Sequence, residues 1–146
     1  MFSKVKKITE KFKSINESFI LDKLSKDENL KENIIYYNTQ EQLYQRGIDS
    51  DGKTLGQYSI YTKGVKQSKG QPFDHITLRD TGAFYNSFRV LRTLDGLLIT
   101  ADSIKDDKDL RVEYGSDIVG LTDQSLSKVI KEARVKTVII IKSLFK

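Results

Sequence analysis

The chain has 146 residues, 38% of them hydrophobic, and a formal charge of +5 from 25 basic and 20 acidic side chains. That length suits one domain burying roughly 70% of its unfolded surface, and the apolar content argues against wholesale disorder. With no cysteine and a single histidine, His75, the sequence excludes disulfide scaffolds, Cys-ligated zinc, iron–sulfur clusters and thiol catalysis, and leaves little for a Ser-His-Asp triad.

In chain order, Val5, Ile8, Phe12, Ile15 and Phe19 recur at spacings of three and four and predict one face of a helix. Ser25-Lys26-Asp27-Glu28-Asn29 reads as a break with capping chemistry. A second helix is expected from about Leu30 to Arg46, with Ile34, Tyr37 and Tyr44 on one face and Gly47 ending it in a left-handed conformation. Residues 47–77 hold five of the nine glycines and the only proline, Pro72, with no sustained period beyond a short extended piece at Tyr58, Ile60 and Val65. They are expected to form an extended glycine-rich arm that docks on a partner or bridges subunits. Asp80-Thr81-Gly82 offers caps to a short helix carrying Phe84, Phe88 and Leu91.

Asp95-Gly96, between Arg89–Leu94 and Leu97–Ala101, signals a two-residue hairpin. After the charged turn Asp102–Asp109, Leu110–Tyr114 alternates as a third strand. Thr122 or Asp123 caps a final helix with Leu126, Val129, Ile130, Ala133, Ile141 and Leu144. The β-branched run Val138–Ile141 also suits a strand, but no turn signal interrupts the segment, which favours helix. The expected fold class is α+β in a single domain. Its N-terminal helical region spans 1–46, the arm 47–77, and the α+β core 78–146. That core holds a small antiparallel sheet with a β-hairpin, a short central helix and a C-terminal helix.

Charge is unevenly spread. Residues 1–13 carry +4, residues 124–146 carry +5, and the middle is −4. Lysines on terminal helices suit a solvated face, or attraction to an acidic partner. A basic accessory DNA-binding protein is the alternative function on this basis, acting through Lys128, Lys131, Arg134 and Lys136. The N-terminal Met1-Phe2-Ser3-Lys4-Val5 has no apolar signal-like stretch, and the longest apolar run, Val138–Ile141, is far too short to span a membrane. A soluble protein made in a cytoplasm is expected.

Gly47-Ile48-Asp49-Ser50-Asp51-Gly52-Lys53-Thr54 matches the nucleotide-binding pattern G-x-x-x-x-G-K-[ST]. A phosphate loop also needs a buried strand before it and a helix after it. Here a polar helix is expected before it, no amphipathic helix follows, and two aspartates would repel phosphate. A calcium loop starting at Asp49 fails as well, since position six is Thr54 and position twelve Ile60. His75 beside Asp74 reads as a solvated loop pair, and Asp106, Asp107 and Asp109 as a solvated turn. The Asn16-Glu17-Ser18 sequon has meaning only in a secreted chain. No catalytic, cofactor-binding or metal-ligating residue is assigned, and a non-enzymatic role is expected.

Gly56-Gln57-Tyr58-Ser59, then Thr62-Lys63, lead to Leu78-Arg79-Asp80-Thr81-Gly82-Ala83-Phe84-Tyr85-Asn86-Ser87-Phe88 and later to Glu113-Tyr114-Gly115-Ser116. This arrangement over residues 43–146 resembles the tailed-phage virion morphogenesis family of tail-completion, neck or head–tail connector proteins. In that family a "G…W-x-P-L-S…T…K" loop precedes an "L-x-x-T-G-x-L-x-x-S" helix start; the tryptophan, proline and leucine of the loop are absent here. The resemblance implies a phage structural protein of the head–tail junction, a homo-oligomer in a ring, and adjoining head, neck or tail proteins as partners. It further implies a place in the virion, assembly in the host cytoplasm, a channel that admits contact with packaged DNA, and no membrane or cofactor. The motif residues are Leu78, Asp80, Thr81, Gly82, Phe84, Ser87, Phe88, Tyr114 and Gly115. In this reading Thr81 or Asp80 caps the helix, Gly82 permits close backbone packing, and Phe84 and Phe88 pin the helix to the sheet. Interaction residues are expected at Gly56, Tyr58, Ser59, Lys63, Lys66, Lys69, Pro72, Lys128, Lys131 and Arg134.

Overall fold

The computed structural model describes residues 9, 10 and 13–146. Val5, Ile8 and Phe12 of the predicted first face lie outside the described residues. Helix α1 (Glu17–Ser25) starts where the Asn16 side chain accepts the Phe19 N–H, and α2 (Glu28–Tyr36) where Asp27 accepts that of Leu30. Both caps satisfy amide donors that a helix start leaves free. The expected break at 25–29 is therefore real.

Helix α2 runs into a π-helical segment, Tyr37–Arg46, closed by Gly47 at φ 60°. Leu30, Ile34, Asn38 and Gln42 form one buried stripe at a spacing of four. Four residues over-rotate past a full α turn but fall short of a full turn in the wider i→i+5 helix. The widening therefore keeps the two amides in line with the two aliphatic side chains above them.

The segment 47–77 corrects the expectation of an extended arm. Ser59 accepts the Thr62 N–H and starts helix α3 (Ile60–Ser68), so Ile60 and Val65 are helical. The flanking stretches lie on the protein's own body. Leu55 N–H bonds Gly47 O at 2.8 Å, Ser50 N–H bonds Asp117 O at 2.9 Å, and Ile76 N–H bonds Gly56 O at 3.2 Å. Amphipathic spacing across Thr62, Val65, Lys66 and Lys69 was masked in the sequence by Gly64 and by the polar composition around it.

Helix α4 (Ala83–Asn86) starts where the short helix was expected, but it ends before Phe88 and Leu91, which lie beyond it, and its cap differs. The N-cap is Gly82 at φ 88°, with no side-chain cap, while Thr81 Oγ1 accepts only from Ala83 N and Asp80 pairs elsewhere. An added Cβ at Gly82 would meet only Asn86 Nδ2, at 3.8 Å, so the positive φ and not close packing requires glycine. Strands β1 (Arg89–Arg92) and β2 (Leu97–Thr100) pair antiparallel with Arg92 opposite Leu97. The strands are joined by Thr93–Gly96, and because the Thr93 N–H and hydroxyl both donate to Gly96 O the tight turn falls on Leu94-Asp95, one residue before the expected Asp95-Gly96.

A second small hairpin, β3 (Ile104–Lys105) and β4 (Lys108–Asp109), follows. The expected third strand at Leu110–Tyr114 is instead helix α5, because Asp109 accepts both the Arg111 N–H and the Ser103 hydroxyl and so caps it. A 3-10 turn (Ser116–Ile118) leads to α6 (Asp123–Ser143), capped by Thr122 and helical through Val138–Ile141. The class is α+β, with two separate two-stranded sheets where one was expected.

Two apolar clusters hold the fold. One gathers Leu43, Phe84, Tyr85, Phe88, Leu110 and Ile118; the other gathers Leu30, Ile34 and Val129 where α6 meets α2. Ile99 of β2 packs against both. Phe84 and Phe88 meet edge to face at 5.1 Å, and burying Phe88 contributes about 2–3 kcal/mol. The motif Leu78–Phe88 thus supplies the centre of the larger cluster.

Candidate functional site

Between α3, the 76–80 strand of chain and the β3–β4–α5 unit lies a cleft of about 570 Å³. Its floor is apolar, from Val65, Ile76, Leu78 and Leu110, with Tyr58 and Tyr114 beside them. Tyr58 is fixed through its hydroxyl, which accepts the Thr77 N–H at 2.9 Å and bonds Thr77 Oγ1 at 3.1 Å. The Tyr85 hydroxyl donates to the Thr77 carbonyl from the core side, and burial pushes that phenol well above its ordinary value. Burial, followed by the Glu113 carboxylate, also raises the Tyr114 phenol.

Lys66 is the buried cation of the cleft, 9% exposed. Its ammonium donates to Arg79 O at 2.7 Å and Gln71 Oε1 at 3.3 Å, and lies 5.0 Å from the Tyr58 ring centre. It therefore fastens the chain after α3 to the start of the motif. At Leu78 the backbone sits at φ 55°, a left-handed conformation that is costly for a bulky side chain. The walls are tied across by one ion pair, Lys105 Nζ to Asp80 Oδ2 at 2.6 Å, both partly exposed. The Lys105 hydrogen bond holds the Asp80 carboxyl below its ordinary range.

The expected interaction residues divide. Tyr58, Lys66 and Lys69 line this cleft, and Pro72 lines a smaller cavity of about 160 Å³ behind Lys66. Gly56 forms a turn at φ 101°, Ser59 caps α3, and Lys63 lies half-buried on that helix. Ser87 accepts the Asp102 N–H at 2.9 Å, and Gly115 at φ 91° ends α5. Lys128, Lys131 and Arg134 are remote, on α6. Lys128 pairs with Glu41 at 2.8 Å and lies over Tyr37, and Lys136 pairs with Asp27 at 3.0 Å. These hydrogen bonds raise both ammonium groups above their ordinary value. Half of the proposed DNA-contacting set is thus engaged inside the fold.

The P-loop-like octad is a closed turn. Ile48 bridges to Thr54, and the buried Asp49 carboxylate accepts the N–H groups of Asp51 and Lys53 at 3.0 and 2.9 Å. A helical segment precedes it and extended chain follows, so the amides that would cradle phosphate face Asp49. His75 is also not a solvated pair. Its side chain is 18% exposed, with Nδ1 2.8 Å from Asp74 and Nε2 donating to Tyr44 O at 2.7 Å.

Sequence reasoning missed Asn38 and Gln42, which bond the backbone of residues 118–122. It also missed the contribution of Lys105, Asp106, Asp107 and Glu113 to the cleft. No group of three His, Cys, Asp or Glu side chains is placed to hold a metal among the described residues. No helix among them is long and apolar enough to cross a membrane. No family model, curated protein or solved structure matches the chain.

Proposed function

We propose that this chain is a virion structural protein of the tailed-phage head–tail junction, an adaptor that works by packing against copies of itself and adjoining neck or tail proteins. The observation that supports it most is the apolar surface left in contact with water. Ile60 and Tyr61, at the start of α3 in the motif-bearing half, are 92% and 82% exposed. Val135, Val138 and Ile139 form a second exposed group on α6, from 50% to 61%. Scattered single apolar residues need no explanation, whereas contiguous groups mark contact surfaces. The residues of the resemblance support the same reading, because Lys66 of α3 is bonded to Arg79 at the start of that motif.

The mechanism differs from arm exchange. With 47–77 folded on its own body, recognition falls to rigid surfaces, which lose little entropy on binding. In this reading the protein localises to the virion after assembly in the host cytoplasm. A mass-spectrometric inventory of purified particles tests it: the chain is expected at a fixed, ring-compatible copy number. Absence from intact particles, with the protein found only in the infected-cell lysate, overturns the reading.

A further inference from the structure

We propose that the outer face of α6 docks on a second copy of this chain, against the acidic edge formed by the β3–β4 hairpin and α5. This deepens the adaptor reading and rests on it. Along α6 the core side is set by Ser125 and Val129. Lys131, Val135, Val138, Ile139 and Lys142 follow along its exposed side, with Arg134 beside them. That ridge is about 17 Å long. Its apolar centre is more than half exposed on average, and Lys131, Arg134 and Lys142 join none of the ion pairs among the described residues.

The other edge has the same design with the opposite sign. Val112 is 84% exposed and Ile104 62%, and on the same hairpin–helix unit Asp106, Asp107 and Glu113 are exposed at the rim of the cleft. The two aspartates occupy the hairpin tip, where Asp106 has φ 51°, and take part in no ion pair among the described residues. Lys105 is drawn inward to Asp80, which leaves Lys108 as the one cation of the hairpin facing that tip. Three cations beside three aliphatic side chains meet a unit that carries two exposed aliphatic side chains, three carboxylates and Lys108.

Charge also selects the geometry. Two α6 ridges face to face would oppose three cations with three cations, and two acidic edges would repel likewise. The favoured contact is ridge to edge, so in a bound pair one copy keeps its edge free and the other its ridge. Such a heterologous contact propagates into a closed ring or an open helical array.

The test is charge exchange. One variant carries Lys131→Glu, Arg134→Glu and Lys142→Glu; the other carries Asp106→Lys, Asp107→Lys and Glu113→Lys. Sedimentation velocity of the full chain at low salt is expected to show self-association that weakens as salt rises. Each variant alone should associate at least about tenfold more weakly, and an equimolar mixture of the two should assemble again, because every contact in it then joins opposite signs. A neutral variant, Val138→Ser with Ile139→Ser, keeps the test valid if a charge variant fails to fold, and it too should weaken association. Association untouched by all three variants overturns this pairing while leaving the adaptor reading in place. A mixture that stays apart does the same. A wild-type chain that remains monomeric, or that spends its α6 ridge on duplex DNA as a monomer, overturns the pairing; absence from particles is what ends the adaptor reading.

Discussion

Two polar arrangements tie loops to the body of this protein, and they differ in what surrounds them. Asn38 and Gln42, both fully buried, bond the backbone of Ile118, Gly120 and Thr122 through four contacts of 2.8 to 3.1 Å. The β3–β4 hairpin is tied to the motif by one ion pair, Lys105–Asp80, whose side chains are 41% and 59% exposed. The charged contact is the shorter one, yet it is the weaker anchor. Water and salt compete for it, whereas a dry carbonyl or amide has no partner but the side chain supplied. Neutral amides thus fix the path into α6, while the hairpin meets the motif through a contact that salt can weaken.

Four substitutions break or sharpen that contrast. The largest loss is expected from Gln42→Leu, which strands the Gly120 carbonyl and the Thr122 N–H in the interior. Urea denaturation should show about 2–4 kcal/mol less stability with an unchanged m-value. Next is Gly47→Ala. Its Cβ would stand 2.6 Å from His75 Cδ2 at φ +60°, and about 2 kcal/mol should be lost in the same assay. Adding His75→Ala should restore part of that, since it removes the ring contact but leaves the residue 75 Cβ 3.0 Å away and the backbone cost in place.

Asp27→Asn is expected to cost less, under about 1 kcal/mol at neutral pH, because asparagine still caps α2. Its signature is pH dependence. Burial works against the Asp27 charge, but the Leu30 N–H and the Lys136 ammonium outweigh it and hold the carboxyl below its ordinary value. Ionised Asp27 therefore contributes in full above about pH 4, where the unfolded carboxyl is charged. The contribution fades as pH falls through the lowered native value. Thermal melts from pH 5 downward should show a shallower acid decline in the variant. Smallest of all is Lys105→Ala, expected to cost at most about 0.5 kcal/mol in the melt, while amide exchange across 104–109 speeds up.

The legible parts of the sequence were those governed by short-range chemistry. Asp27, Gly47 and Thr122 mark helix ends by cap geometry that depends on a few neighbouring residues, whereas the cap at Asn16, which interrupts the expected face at Ile15, was not read. Phe84 and Phe88 announced the core for the same reason. Leu110–Tyr114 misled because its alternation is also compatible with one turn of helix, and the deciding bond, Asp109 to Arg111, is a capping contact with no period. The buried amides were hidden differently. Asn38 and Gln42 look like solvent-facing residues until the spacing from Leu30 and Ile34 is followed into the π-helical turn. Of the cleft, Tyr58, Lys66 and Tyr114 were found, but its acidic wall was not, because only the fold brings residues 105–113 opposite α3.

The turn at Asp49 has a consequence for how its octad behaves. It is an anion receptor that carries its own anion, covalently attached and held at an effective concentration no free phosphate reaches. Lys53, the cation of the pattern, reaches out to Asp51 at the surface. In a pattern shared with nucleotide-hydrolysing enzymes the backbone here wraps around a carboxylate of its own, with Gly47 also closing the helical segment before it.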